Sequence, residues 1–266
     1  MIGQGNKALA ERLEYVCKTY TKKAAITYLR NDGTKDDFTF GEIYSHILAA
    51  KEQFSRVYLQ PGDRAAIISP HTPFAIIAGY ALAYSNITIV PIDAMLPTEE
   101  INRLLEFSDV RAVFTIPEKY KELKKTLIKS IPVFDISCKI GGYHVFTDSV
   151  SSVFCSVTGD SDTDVISILF SSGTTATMKG VMVTYTSVEK SRPMFHDFTG
   201  TTDNINLLYV LPYCHVAGFF IAFQCFLSGC GLGMIEDIDA FKIASAFHLY
   251  QPEYFALVPK FYEIVE

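Results

Sequence analysis

No two of the six cysteines (Cys17, Cys138, Cys155, Cys214, Cys225, Cys230) have the C-x-x-C spacing. In a chain of 266 residues that scatter excludes a dense disulfide framework or a cysteine zinc site. It fits reduced thiols, so the expected compartment is cytoplasmic. Positive charge is also scarce, with 23 Lys and Arg against 29 Asp and Glu and a net charge of -6. That balance excludes broad electrostatic capture of nucleic acid or of an anionic membrane surface. The opening Met1-Ile-Gly-Gln-Gly-Asn-Lys has no charged stretch leading into an apolar run, so no secretory signal is expected. Residues 74–92 and 216–235 lack charge over roughly the length of a spanning helix. Neither is continuous. Ser85-Asn86 splits the first into a helix-like half and the β-branched Ile87-Thr-Ile-Val-Pro-Ile, and Gly229, Gly231 and Gly233 interrupt the second. Each is expected to be a buried helix, turn and strand, with no membrane span.

Hydrophobic residues make up 49% of the chain and charged residues 20%, enough apolar surface for a large soluble core. The pattern predicts a helix over 8–20, strands over 24–29 and near Phe38 with Asn31-Asp-Gly turning between them, and a helix over 40–58. Then follow a strand over 64–69, helix 73–84, strand 87–92, helix 97–108 and strand 112–115. Strands alternating with helices define an α/β fold, with mostly parallel sheets and helices on both faces. The Ser-, Gly-, Thr- and Asp-rich stretch 137–163 is the best boundary, giving a first α/β sublobe over 1–158 and a second over 159–266. The second repeats the theme with strands at 165–170, 180–185, 207–212, 232–235 and 254–258. A helix starting at Pro259 and running to the last residue without a cap is expected to belong to a longer protein.

Residues 168–183 read Ile-Leu-Phe-Ser-Ser-Gly-Thr-Thr-Ala-Thr-Met-Lys-Gly-Val-Met-Val. Five hydroxyl residues (Ser171, Ser172, Thr174, Thr175, Thr177), Gly173 and Lys179 lie between two β-rich arms. Tight-turn N–H groups, hydroxyls and one lysine suit an oligophosphate. A Ser/Thr-rich surface hairpin would have the same composition. The Walker loop is excluded, because Met178 and Gly180 stand where it needs Gly and Ser/Thr around the lysine.

That segment resembles the phosphate-binding signature of the adenylate-forming superfamily: acyl-CoA synthetases, peptide-synthetase adenylation domains and luciferases. It is similar at Ser172, Gly173, Thr174, Thr175, Lys179, Gly180 and Val181. It departs at Ala176, where the family has glycine, and at Met178, where it often has proline. Further similarities follow in the family's order: Phe38-Thr-Phe-Gly-Glu-Ile, Leu59-Gln-Pro-Gly-Asp-Arg-Ala-Ala-Ile, Val90-Pro-Ile-Asp, Leu211-Pro-Tyr-Cys-His-Val-Ala-Gly and Ala256-Leu-Val-Pro-Lys-Phe-Tyr. Gly62, Asp63, Pro91 and Asp93 are expected to be turn and packing residues.

The resemblance implies two stacked α/β sublobes of the layered αβαβα type, present here in incomplete form, without the family's small C-terminal domain. It implies ATP and Mg²⁺ as cofactors, with coenzyme A or an acyl carrier protein receiving the acyl group from a small-molecule carboxylic acid. By the same resemblance Ser171, Ser172, Gly173, Thr174, Thr175, Thr177 and Lys179 bind the phosphates. Thr175 faces the metal, Lys179 is catalytic, and His215, Cys214 and Gly218 line the acid pocket. His215 could equally be a core histidine, and Phe219, Phe220 and Phe223 a core helix or an apolar pocket. The absence of an aspartate near His215 points to a plain acid rather than an amino acid, since a buried ammonium needs a counter-charge. The family's adenine, ribose and catalytic-lysine segments do not follow His215. Thr158-Gly159-Asp160, which resembles one of them, precedes the phosphate loop. The chain is therefore expected to be the front part of an acid-activating ligase and inactive alone; a catalytically dead binding module is the other reading.

Overall fold

The central strands of this chain send alternate buried residues to opposite faces, and that alternation sets the architecture. The structure, a computed structural model, describes residues 4–123, 131–137, 144–145, 164–170, 179–200 and 205–256. It opens with α1 (Gln4–Thr19), β1 (Ala24–Leu29), β2 (Lys35–Thr39) and α2 (Phe40–Arg56), followed by β3 (Arg64–Ser69), α3 (Pro73–Tyr84), β4 (Thr88–Asp93) and α4 (Thr98–Ser108). Next come β5 (Ala112–Thr115), α5 (Pro117–Leu123), β6 (Val133–Asp135), β7 (His144–Val145), β8 (Val165–Phe170) and β9 (Gly180–Thr184). The last elements are α6 (Tyr185–Thr199), β10 (Asn206–Tyr209), α7 (Val216–Leu227), β11 (Gly231–Ile235), α8 (Ala240–Tyr250) and β12 (Tyr254–Ala256).

Two open sheets result, with strand orders β12-β10-β11-β1-β2 and β7-β6-β5-β3-β4-β8-β9. All pairs are parallel except β1–β2, β6–β7 and β8–β9. The sheets do not follow the boundary at 158/159. β1 and β2 join the five-stranded sheet built from the end of the chain, and β8 and β9 join the seven-stranded one. The sequence pattern cannot show this, because a parallel strand's burial does not name its neighbour.

Five layers follow from the side chains. Ala65 and Ile67 of β3, with Leu207 and Tyr209 of β10, face one shared core that holds α1, α2, α3, α6 and α7. Ala66 and Ile68 turn the other way, onto α4 and α5, while Leu208 and Val210 pack against α8. The order is helix, sheet, helices, sheet, helix, as the αβαβα expectation requires. α3 lies in the middle layer and is apolar nearly all round, as a helix enclosed between two sheets must be. Both charge-free stretches resolve as helix, turn and strand, and among the described residues no helix is long and apolar enough to cross a membrane.

Local signals set the ends. Thr39 caps α2 through a reciprocal box with Glu42. Pro73 begins α3. Gly229, at φ +73°, ends α7 and turns the chain into β11.

Candidate functional site at the strand ends

In open α/β sheets, ligands lie beyond the carboxyl ends of strands where neighbouring connections leave in opposite directions. Here that condition is met twice. From β3 the chain passes to β4 on one side and then to β5 on the other; from β10 it passes to β11 on one side and β12 on the other. Both crossover points open on one cavity of about 270 Å³. Ser69, His71 and Thr72 reach it from the end of β3 and the start of α3, and Ile92 and Asp93 from β4. Tyr213 and Cys214 reach it after β10, and Met234 and Ile238 from β11 and beyond.

The wall is mostly apolar, and Asp93 is the one carboxylate among the described residues that line it. One Asp93 oxygen accepts the Met95 N–H at 2.8 Å and holds the turn after β4, as expected, but Asp93 also lines the cavity, which the expectation did not include. Burial, with the nearby Asp93 carboxylate, pushes the Cys214 thiol up to about 11. At neutral pH Cys214 is therefore a protonated wall residue and a poor nucleophile.

The phosphate-loop candidates Ser171, Ser172, Gly173, Thr174, Thr175 and Thr177 lie outside the described residues, as does Ala176. Their frame is described. β8 and β9 are antiparallel arms whose last pair is Phe170↔Gly180, and residues 171–178 stand between these arms in the sequence. β8 is parallel to β4 through Ile89↔Ser167, so β8 ends at Phe170 on the same side of the sheet as Asp93 and the cavity. A Cβ on Gly180 would come 2.8 Å from Ile168 Cγ2, so glycine lets the two arms close. Lys179, one residue before that pair, is exposed.

The segment 209–218 places the other candidates. His215 is the N-cap of α7 in extended conformation (φ -100°, ψ 150°), with no capping bond from its side chain. It is exposed and not in the cavity wall, whereas Cys214 is in the wall and Gly218 is buried behind it. A Cβ on Gly218 would overlap the Pro212 carbonyl, so only glycine allows α7 to start this close to the strand. Phe219 and Phe223 are fully buried in the middle layer and belong to the core; Phe220 is half-buried.

Two residues that no sequence signal marks hold this segment. His71 Nε2 lies 3.0 Å from the Tyr209 carbonyl, and the two rings stack with centroids 5.2 Å apart and 27° between planes. Burial lowers the His71 imidazole to about 4, against the opposing effect of the Tyr209 carbonyl bond. Tyr209 in turn donates its hydroxyl to the Gly218 carbonyl at 3.1 Å. Among the described residues no cluster of three His, Cys, Asp or Glu could hold a metal ion.

Paired crossover points over one cavity, with the β8–β9 arms on the same side of the seven-stranded sheet, define an open α/β fold with a pocket at its strand ends. The chain belongs to the family described as AMP-binding enzyme, whose model matches residues 13–265. It is 26% identical over 247 residues to crotonobetaine/carnitine–CoA ligase of Citrobacter koseri, covering 89% of this chain and 48% of that protein. It is 27% identical over 235 residues to 4-coumarate–CoA ligase-like 9 of Arabidopsis thaliana, covering 85% of this chain and 41% of that protein. Among solved structures, the fold is similar to O-succinylbenzoate coenzyme A synthetase from Bacillus subtilis in complex with AMP. The TM-score is 0.76 at 17% identity, with 96% of this chain and 63% of that chain covered. The chain spans about half the length of the curated relatives it matches.

Proposed function

We propose that this chain forms the front of a ligase that activates a carboxylic acid with ATP and then passes the acyl group to coenzyme A. Membership of the AMP-binding family gives the class. The observation that most supports the finer reading is that the β8–β9 arms flanking residues 171–178 and the 209–218 segment both lie at the strand-end side of the fold. In this reading Ser171, Ser172, Gly173, Thr174, Thr175 and Thr177 hold the ATP phosphates. Lys179 stabilises the negative charge that develops on pyrophosphate as the acid's carboxylate oxygen attacks the α-phosphorus. His215 and Cys214 meet the acid, and Gly218 keeps the α7 start close enough for them to do so. A thiol then attacks the acyl-adenylate carbonyl and AMP leaves.

The donor set suits a magnesium ion carried by the nucleotide. Mg²⁺ keeps most of its waters and binds through substrate phosphates with few protein ligands, and Thr175 is the hydroxyl this chain would offer. Bound there, the ion supplies charge neutralisation. The four cysteines described are free thiols, which supports a cytoplasmic place for the enzyme.

Acid-dependent exchange of pyrophosphate into ATP, run over a panel of carboxylic acids on the whole protein, tests this reading. Exchange followed by thioester formation with coenzyme A supports it. Thioester formation only on a carrier-protein thiol moves the second step to that acceptor. Nucleotide binding without exchange for any acid overturns it in favour of a binding module.

A further inference from the structure

His71 lies just before α3, which links two strands of the seven-stranded sheet, yet its ring bonds to a strand of the other sheet. A carbonyl oxygen only accepts, so Nε2 carries the proton; with the imidazole neutral, Nδ1 is a bare acceptor. Nδ1 is buried, with no hydrogen-bond partner among the described residues. The ring is therefore held by one directed bond and by its stack on Tyr209. Tyr209 relays that hold. Its carbonyl is fixed by His71, and its hydroxyl, at the other end of a buried side chain, is bonded to the Gly218 carbonyl in the first turn of α7. Between these two anchors runs the turn that carries Cys214 and His215. It closes through the His215 N–H on the Pro212 carbonyl at 3.1 Å and the Phe219 N–H on the His215 carbonyl at 2.9 Å. Both ends of the turn meet one tyrosine, which the β10–β12 ladder holds at Ala256 and whose carbonyl a histidine from the other sheet bonds.

We propose that His71 is a positioning residue: acting through Tyr209, it sets where the 210–218 turn presents His215 at the strand ends. The effect on catalysis rests on the reading above, in which His215 meets the acid; the effect on the turn does not.

The test compares His71→Ala, His71→Gln and Tyr209→Phe with the unaltered protein. Glutamine places an amide N–H close to where Nε2 sits and can restore the bond to the Tyr209 carbonyl. Long-range ¹⁵N NMR of the imidazoles should show His71 as the Nε2–H tautomer. Acylation of His215 by diethyl pyrocarbonate, resolved by peptide mass mapping, should change about threefold or more in His71→Ala and return near the original rate in His71→Gln, as a misplaced rather than destabilised turn requires. Tyr209→Phe keeps the ring and the stack and removes only the Gly218 anchor, so it should shift His215 reactivity even if His71→Ala does not fold. In active protein His71→Ala should raise the KM for the acid several-fold and leave that for ATP unchanged. An Nδ1–H tautomer, or His215 reactivity unmoved in the folded variants, overturns the proposal. Altered His215 reactivity in a protein that activates no acid overturns the functional reading and leaves the positioning role standing.

Discussion

The phenol oxygen of Tyr213 lies against the backbone of Gly79, so close that a Cβ on that glycine would overlap it. The same oxygen is buried and has no hydrogen-bond partner among the described residues. Tyr213→Phe should therefore hold or raise stability, by about 1 kcal/mol, since a buried unpaired polar group costs about 1–3 kcal/mol. Gly79→Ala sets two effects against each other. Alanine favours a helix interior by about 1 kcal/mol, while overpacking costs about 1–3 kcal/mol. With rigid backbone on one side and an enclosed ring on the other, overpacking should win and the variant should be destabilised. Urea denaturation reads both signs; a stabilised Gly79→Ala would mean that the Tyr213 ring moves freely.

Acid should weaken the fold through two buried histidines. Burial lowers both His46 and His71 to about 4, whereas an imidazole in the unfolded chain titrates near 6.5. Between those values the unfolded chain binds more protons, so stability is full above about pH 6.5 and falls as pH drops toward about 4. Each histidine accounts for up to about 3 kcal/mol of that loss. His71→Gln should flatten the melting temperature against pH in this window, and an unchanged slope would refute the assignment.

Lys179 is exposed, one residue before the last pair of the β8–β9 arms. If it steadies the departing pyrophosphate, Lys179→Ala should slow adenylate formation by about 10²–10³-fold with the melting temperature unchanged. Single-turnover measurement of the acyl-adenylate is the check, and a fall of less than about threefold would reduce the lysine to a surface residue.

Two glycines with positive φ allow packing and backbone strain to be separated. Among the described residues, Gly200 (φ +64°) has nothing within 4 Å of the place a Cβ would occupy, whereas at Gly229 (φ +73°) a Cβ would come 2.5 Å from the Tyr20 ring. Gly200→Ala should cost about 1 kcal/mol, from backbone strain alone. Gly229→Ala should cost about 1–3 kcal/mol more, because it also crowds the ring. Equal losses in denaturant titrations would show that Tyr20 yields.

Much of the fold was legible because its punctuation is chemical. Pro73 opens α3 and Gly229 closes the α7 turn; β1, β3, β5 and β8 fall on the predicted residues, where short apolar runs end in turn formers. The pairing of strands was not legible. β1 is buried on both faces and would read the same beside any parallel neighbour, so nothing in residues 24–29 points to β11. At the site, the hydroxyl-rich segment and the 211–218 motif could be found from residue types alone. His71 and Tyr209 could not, because their bond joins a side chain to a backbone carbonyl of the other sheet, and a carbonyl leaves no trace in a sequence. The boundary at 158/159 came from composition, which marks a loop but does not say to which sheet the strands beyond it return.

The exchange of strands between the sheets also imposes a timetable on synthesis. Every described strand of the seven-stranded sheet has been made once residue 184 is out, so that sheet can assemble while the chain is still growing. The five-stranded sheet cannot. Ile26 waits for Leu232, about 200 residues later, which at typical elongation rates is about 10–40 seconds on the ribosome. For that interval the β1–β2 hairpin has a bare edge toward β11, and the apolar faces of α3 that later meet α7 stay uncovered. A nascent chain of this design should be a strong client for chaperones between the synthesis of β1 and that of β11, and a weak one once β11 docks.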